Sequence, residues 1–207
     1  KFKKNTIDGT HNLLNLNGNF QIKNNEVYDM ILDSHFSDNK TVVLTIKSKN
    51  KKKITTFYSD FAKPFVKKYK FIKGFENGKL DLYSVKENEI SNSLLKIYDF
   101  RLKELPALTK ILTLASLQGI ADILSGEGVG FDEFEMKFQN KKNLMDIKEI
   151  YAIGPAISIL MDGYVQDDEL ISLRGTLVPA TTINKFVASI PILGDILVGK
   201  KTGEGVF

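Results

Sequence analysis

Hydrophobic and polar residues alternate with a period of two through the first hundred positions, the mark of strands with one apolar and one wetted face. Leu14, Leu16, Phe20 and Ile22 fall on one parity with Gly18 between them, and Asn15, Asn17, Asn19, Gln21 and Lys23 fall on the other. After a turn-forming Asn24-Asn25, the positions Tyr28, Met30, Leu32 and Phe36 continue the apolar face, with Asp29, Asp33 and His35 opposite. Ser37-Asp38-Asn39-Lys40 predicts another turn, after which Val42, Leu44 and Ile46 oppose Thr41, Thr45 and Lys47. A Lys/Asn-rich tip then returns the chain through Ile54-Thr55-Thr56-Phe57-Tyr58. Connections this short make successive strands antiparallel.

Residues 59–68 interrupt the alternation with a short helical pattern, for which Ser59 or Asp60 is the expected N-cap. Strands resume at Lys79, and Leu94–Leu102 is apolar on both parities, which predicts burial on both sides. Pro106, followed by Leu108, Ile111, Leu112, Ala115, Ile120, Ile123 and Leu124 at helical spacing, predicts a helix that ends by Gly126. Phe134, Met136 and Phe138 alternate with Glu133, Glu135 and Lys137, and Leu144–Ile153, Ile157–Met161 and Leu170–Val178 read as three more strands. A second apolar helical pattern carries Ile183, Phe186, Val187 and Ile190 between Pro179 and Pro191.

The predicted fold is mainly β. It is a long antiparallel curved meander of nine or ten strands, an open groove-like sheet, with two apolar helices near 105–124 and 180–190. Residues 1–207 form one region, with a meander over 1–100, a helix insertion over 101–126, and strands plus an apolar helix over 127–207. A second covering sheet is the ordinary way to bury such a face. An open curved sheet instead leaves it free to accept acyl chains, each buried CH₂ contributing about 0.8 kcal/mol.

Composition narrows the chemistry. The 207 residues are 43% hydrophobic and 26% charged, the balance of a globular chain, and they include no Cys and two His. Thiol catalysis, structural zinc and the usual haem ligation are therefore excluded or close to it. No stretch reaches the roughly 18 consecutive apolar residues of a membrane span. The chain opens on basic residues without a methionine and reads as a piece of something longer.

Charge is uneven. Residues 1–110 carry 21 Lys and Arg against 12 Asp and Glu, and residues 111–207 carry 8 against 13. The basic half raises a nucleic-acid hypothesis. Its dense run, Lys47, Lys49, Lys51, Lys52 and Lys53 around Asn50, reads more simply as a solvated hairpin tip, with anionic headgroups or phosphate as the other use. No nucleic-acid partner is expected.

The motifs offer no catalytic anchor. Gly194-Asp195-Ile196-Leu197-Val198-Gly199-Lys200 meets seven positions of a phosphate-binding loop, but Lys201 stands where Ser or Thr must hold magnesium. Glu133 and Glu135 lie two apart on a strand, on the wetted face opposite Phe134 and Met136, so they do not make a hydrolytic pair. His11 has no acidic or nucleophilic neighbour, and Asp33 with His35 supplies two ligands, too few for a metal site. A Gly-x-Ser-x-Gly elbow is absent. The expectation is a non-enzyme with no catalytic residue, no metal and no cofactor.

Two blocks resemble a known family. One is Ile97-Tyr98-Asp99-Phe100-Arg101-Leu102 with Leu105-Pro106-Ala107-Leu108 and the run from Leu114-Ala115-Ser116-Leu117-Gln118-Gly119 to Gly126-Glu127-Gly128. The other is Leu173-Arg174-Gly175-Thr176-Leu177-Val178-Pro179-Ala180, Ile183-Asn184, Ile190-Pro191-Ile192-Leu193-Gly194-Asp195-Ile196-Leu197 and Gly203-Glu204-Gly205-Val206-Phe207. Together they resemble the C-terminal region of AsmA-like bacterial envelope proteins, and Ser59-Asp60-Phe61-Ala62 through Lys79-Leu80 looks like the family's preceding segment. The resemblance covers roughly residues 59–207.

It implies part of a periplasmic protein anchored in the inner membrane of a Gram-negative bacterium, with an apolar β-groove carrying phospholipids toward the outer membrane. The implied partners are phospholipid acyl chains and the inner or outer membrane surface. Leu14, Leu16, Phe20, Ile22, Tyr28, Met30, Leu32 and Phe36 are the groove candidates, an ordinary sheet core being their other reading. The alternative function is a structural or assembly-factor module that binds envelope proteins through sheet edges and helices.

Overall fold

A computed structural model of the chain describes residues 2–67, 74–103, 128–167 and 170–179. Eleven strands form one antiparallel sheet in which each strand pairs with its neighbours in sequence. They are β1 (Phe2–Thr6), β2 (Asn12–Lys23), β3 (Glu26–His35), β4 (Thr41–Lys49), β5 (Lys52–Ser59), β6 (Phe75–Glu87), β7 (Ile90–Leu102), β8 (Val129–Lys141), β9 (Leu144–Ile153), β10 (Ile157–Gln166) and β11 (Leu170–Pro179). A single-turn helix, α1 (Lys63–Val66), lies between β5 and β6. The predicted meander is observed as an open sheet, and the described residues form no second layer. The predicted helices near 105–124 and 180–190 lie outside the described residues.

The meander gives the sheet two unlike ends. One end carries the tight turns, Asn24-Asn25, Asn50-Lys51, Asn88-Glu89 and Lys142-Asn143, each two residues long. Asn24, Asn25, Asn50 and Lys51 have φ between 52° and 63°. Such paired positive values match the twist of a hairpin, and Asn tolerates them better than most residues. The other end carries the longer connections, including α1.

The core sits at this second end, on one face. Phe75, Leu80, Ile97, Phe100, Val129, Phe131, Ala152 and Ile157 are buried together with Ala62 and Val66 from the α1 segment. Phe100 stacks between Phe75 and Phe131, with centroids 5.1 and 5.2 Å away. Ile97 and Phe100 are three residues apart in β7, yet they enter the same core. Asp99, between them, has φ 53°, which reverses the alternation. The shift brings Phe100 and Leu102 onto the face of Leu95 and Ile97, while half-buried Leu94 stays on the opposite face beside Tyr83, and the expectation of burial on both sides is corrected.

Three further expectations change. β1 raises the strand number above the nine or ten expected. β10 runs on past Met161 to Gln166, with a register shift between Met161 and Gly163. The N-cap of α1 is Ala62, without a side-chain capping bond. Ser59 and Asp60 act earlier: Ser59 Oγ accepts from the Phe61 N–H at 3.1 Å, and Asp60 accepts from Tyr58 Oη at 2.6 Å and from the Thr41 N–H at 3.0 Å. These bonds fix the path into the helix, and Pro64 occupies its first turn, where no N–H is needed.

Candidate apolar binding face

Residues paired directly across antiparallel strands share a face. The register therefore traces an apolar row across the sheet: Leu32, Leu44, Phe57, Leu82, Leu95, Met136, Ile150 and Met161. Every side chain in it is half-buried. From β3 to β10 the row spans seven strand spacings, about 34 Å at about 4.8 Å each. It runs perpendicular to the strands, along the long axis of the sheet.

The rows on either side differ. Toward the loop end lie Leu80, Ile97, Phe134, Ala152 and Ile159, at the core and beside the α1 segment. Toward the tight turns lie Phe20, Met30, Ile46, Thr55, Ser84 and Ser93. The last three turn this row polar in mid-sheet, where Ser93 Oγ donates to Ser84 Oγ at 2.8 Å. In mid-sheet the apolar face is thus a stripe, walled by the core on one side and bordered by hydroxyls on the other, while beyond Ser93 the neighbouring row is apolar again at Phe138 and the buried Ile147.

The groove candidates separate accordingly. Leu32 belongs to the row, with Gly18 and Leu44 on either side, and Met30 stands between Phe20 and Ile46. Phe20 and Ile22 are 66% and 60% exposed. Tyr28 is the extra residue at a register shift opposite Gln21 and Ile22, with Lys23 Nζ 5.2 Å from its ring centroid. Leu16 pairs with Phe2 of β1. Leu14 pairs with His35, and Asn15 with φ 50° puts it out of phase with Leu16. Phe36 is 3% exposed and lies among His11, Phe61 and Phe65, with centroids 5.6–6.5 Å away. It is core.

The same alternation continues beyond the groove candidates of β2 and β3. Leu44, Phe57, Leu82, Leu95, Met136 and Ile150 each follow it, and two-residue turns fix the register from hairpin to hairpin. The signal for the full row was present.

His11 does have an acidic neighbour, against expectation. The turn after β1 folds Asp8 back so that its Oδ2 lies 2.9 Å from His11 Nδ1. Lys67 Nζ approaches the same oxygen at 3.5 Å. Burial pushes the Asp8 carboxyl up, but hydrogen bonds from His11 and Thr10 outweigh it and hold the carboxyl well below its ordinary range.

The opposite face mixes polar residues with the exposed Ile31, Tyr58 and Tyr83, and on it Lys96, Glu135, Lys137 and Glu149 form a chain of ion pairs across β7, β8 and β9, at 2.7, 3.3 and 2.9 Å. Glu133 and Glu135 lie on this wetted face, as the alternation predicts. Burial raises Glu135, while hydrogen bonds from Lys96 and Lys137 bring it below its usual value. A half-buried carboxylate held ionised between two cations suits cross-strand pairing better than proton transfer.

Among the described residues no three potential metal ligands converge, and no helix is long and apolar enough to cross a membrane. No family model, curated protein or solved structure matches the chain.

Proposed function

We propose that this chain is a section of an AsmA-like envelope protein of the bacterial periplasm, anchored to the inner membrane by its parent protein, whose curved sheet offers its apolar face to phospholipid acyl chains. The observation that carries the reading is the row from Leu32 to Met161. Eight apolar side chains stand side by side without full burial, whereas a two-layer protein seals such a row. Where α1 does not cover it, a single-layer sheet can receive chains along the row, and chain length sets how many CH₂ groups are removed from water. The residues resembling AsmA-like proteins at 97–128 and 173–207 point the same way. The reading needs no catalytic residue, metal or cofactor.

Solvent extraction of the purified chain, with mass spectrometry of the extract, tests it. Co-purifying glycerophospholipid, reduced when Leu44, Leu82 or Met136 is replaced by Asp in a folded variant, is the expected result. A lipid-free protein that also takes up no fluorescent acyl chain overturns the reading. The alternative, a non-enzymatic assembly module, draws on the two edge strands, β1 and β11, whose outer backbone groups have no strand partner among the described residues. Unpaired edges are templates for adding a strand from another chain.

A further inference from the structure

We infer that the tight-turn end of the sheet, from the β2–β3 turn to the β8–β9 turn, is a docking rim for an anionic lipid bilayer. The topology collects the cations. Lys23, Lys47, Lys49, Lys51, Lys52, Lys53, Lys86, Lys141 and Lys142 come from four hairpins but stand along one end of the sheet. Lys52 and Lys53 are paired with Glu87 and Glu26. Lys47, Lys49, Lys51, Lys86, Lys141 and Lys142 are exposed and form no ion pair among the described residues.

The lysines do not stand alone. Large apolar side chains are exposed near the same turns: Phe20 and Ile22 by the first, Leu144 at 42% by the fourth. Cations beside exposed apolar residues are the chemistry of an interfacial binder. The lysines meet lipid phosphates, worth about 1 kcal/mol each near an anionic surface, while the apolar groups enter the acyl boundary. Ile22 and Leu144 have no role against a nucleic-acid backbone, which makes a bilayer the better fit. The rim ends at the β10–β11 turn, where Asp167 leads into Asp168 and Glu169 in the sequence.

The opposite end offers no such combination. Its connections are mixed in sign, with Lys40 paired to Asp38, and its aromatic residues Phe36 and Phe75 are buried. The docking rests on the lipid-handling reading for the identity of its partner, but its geometry is independent of the apolar row. Vesicle binding and lipid extraction therefore fail separately.

The test is co-sedimentation of the 207-residue chain with vesicles of phosphatidylcholine alone or with about 30% phosphatidylglycerol, at low and high salt. At least about tenfold stronger binding to the anionic vesicles, lost at high salt, is expected. The exposed triple variant Lys47→Glu/Lys49→Glu/Lys141→Glu lowers that binding about tenfold or more. A charge-matched variant away from the rim, Lys79→Glu/Lys148→Glu/Arg174→Glu, keeps most of it. Circular dichroism confirms folding of both. Equal binding to neutral vesicles, no binding, or equal losses in the two variants overturns the proposal. So does tighter binding to a random single-stranded oligonucleotide than to the anionic vesicles at the same salt.

Discussion

The ring of Phe65 stands edge-on to the ring of Phe57, with centroids 4.7 Å apart and planes at 76°. Phe57 belongs to the apolar row and Phe65 to α1, so this contact marks where the row passes beneath the helix. An edge-to-face pair contributes about 0.5–1.5 kcal/mol beyond the area it buries. Phe65→Ala is therefore expected to cost about 2–3 kcal/mol, read as a lower urea midpoint at unchanged slope. Phe20→Ala, at a 66% exposed position, should stay within about 0.5 kcal/mol. Equal losses at the two sites would remove the distinction between capped and uncapped parts of the face.

A second contrast follows from the position of the core. Ile97 is 6% exposed and packs with Leu80, Phe100 and Phe131, so Ile97→Glu buries a carboxylate with no partner. The expected loss is about 4 kcal/mol or more. Met30 is half-buried on the open part of the same sheet, where a carboxylate reaches water, and Met30→Glu should cost about 1 kcal/mol. Chemical denaturation of both variants checks this. A large loss at Met30 would mean that the face is sealed there.

The strands were legible because side chains alternate with a period of two whatever their tertiary setting, and Asn-rich turns announced the hairpins. The breaks in phase were not. Asn15 and Asp99 adopt positive φ as single residues inside strands, and an Asn or Asp on a polar parity looks the same with or without such a twist. That is why Leu14 reads as sharing a face with Leu16, and why both parities of Leu94–Leu102 read as buried surfaces. Phe36 fails for another reason: Phe61, Phe65 and His11 cover it from two separate connections, and no local pattern encodes that meeting. β1 was missed because Phe2-Lys3-Lys4-Asn5-Thr6 is short and polar, with the pairing supplied by β2.

Gly18 ties the candidate face to the backbone. It stands opposite Leu32, and a Cβ placed there would overlap Leu32 Cδ2 and the carbonyl oxygen of Ile31. The leucine side chain can rotate away, but the carbonyl belongs to the paired strand and cannot. Gly18→Ala is expected to cost about 2 kcal/mol through separation of β2 from β3. Hydrogen exchange should show faster amides over 12–35, with protection over 75–102 unchanged. Unchanged exchange in the first hairpin would show that the strands can part locally at no cost.

The Asp8 carboxylate is 7% exposed and accepts hydrogen bonds from the backbone N–H groups of Thr10 and His11, at 3.0 and 2.8 Å. Its folded-state pKa is depressed below the ordinary 3.8, so the unfolded chain takes up the proton first as pH falls. The stability linked to this group is therefore complete well above pH 4 and is lost as pH falls from there toward the folded value. Glu26, Asp38, Asp60, Glu76 and Glu135 are also lowered by their partners and share the acid slope, so the diagnostic quantity is a difference between two proteins. Asp8→Asn should be about 1–3 kcal/mol less stable than the parent at pH 7, because the ionic contact to Lys67 and the carboxylate's hydrogen bond with the His11 ring are lost. It should then approach the parent's stability as pH falls from about 5 to 2, since the parent loses what the variant never had. Urea midpoints at half-unit pH intervals give both curves. If the two run parallel over that range, Asp8 carries no part of the acid dependence, and its hydrogen bonds are no stronger in the folded chain than in water.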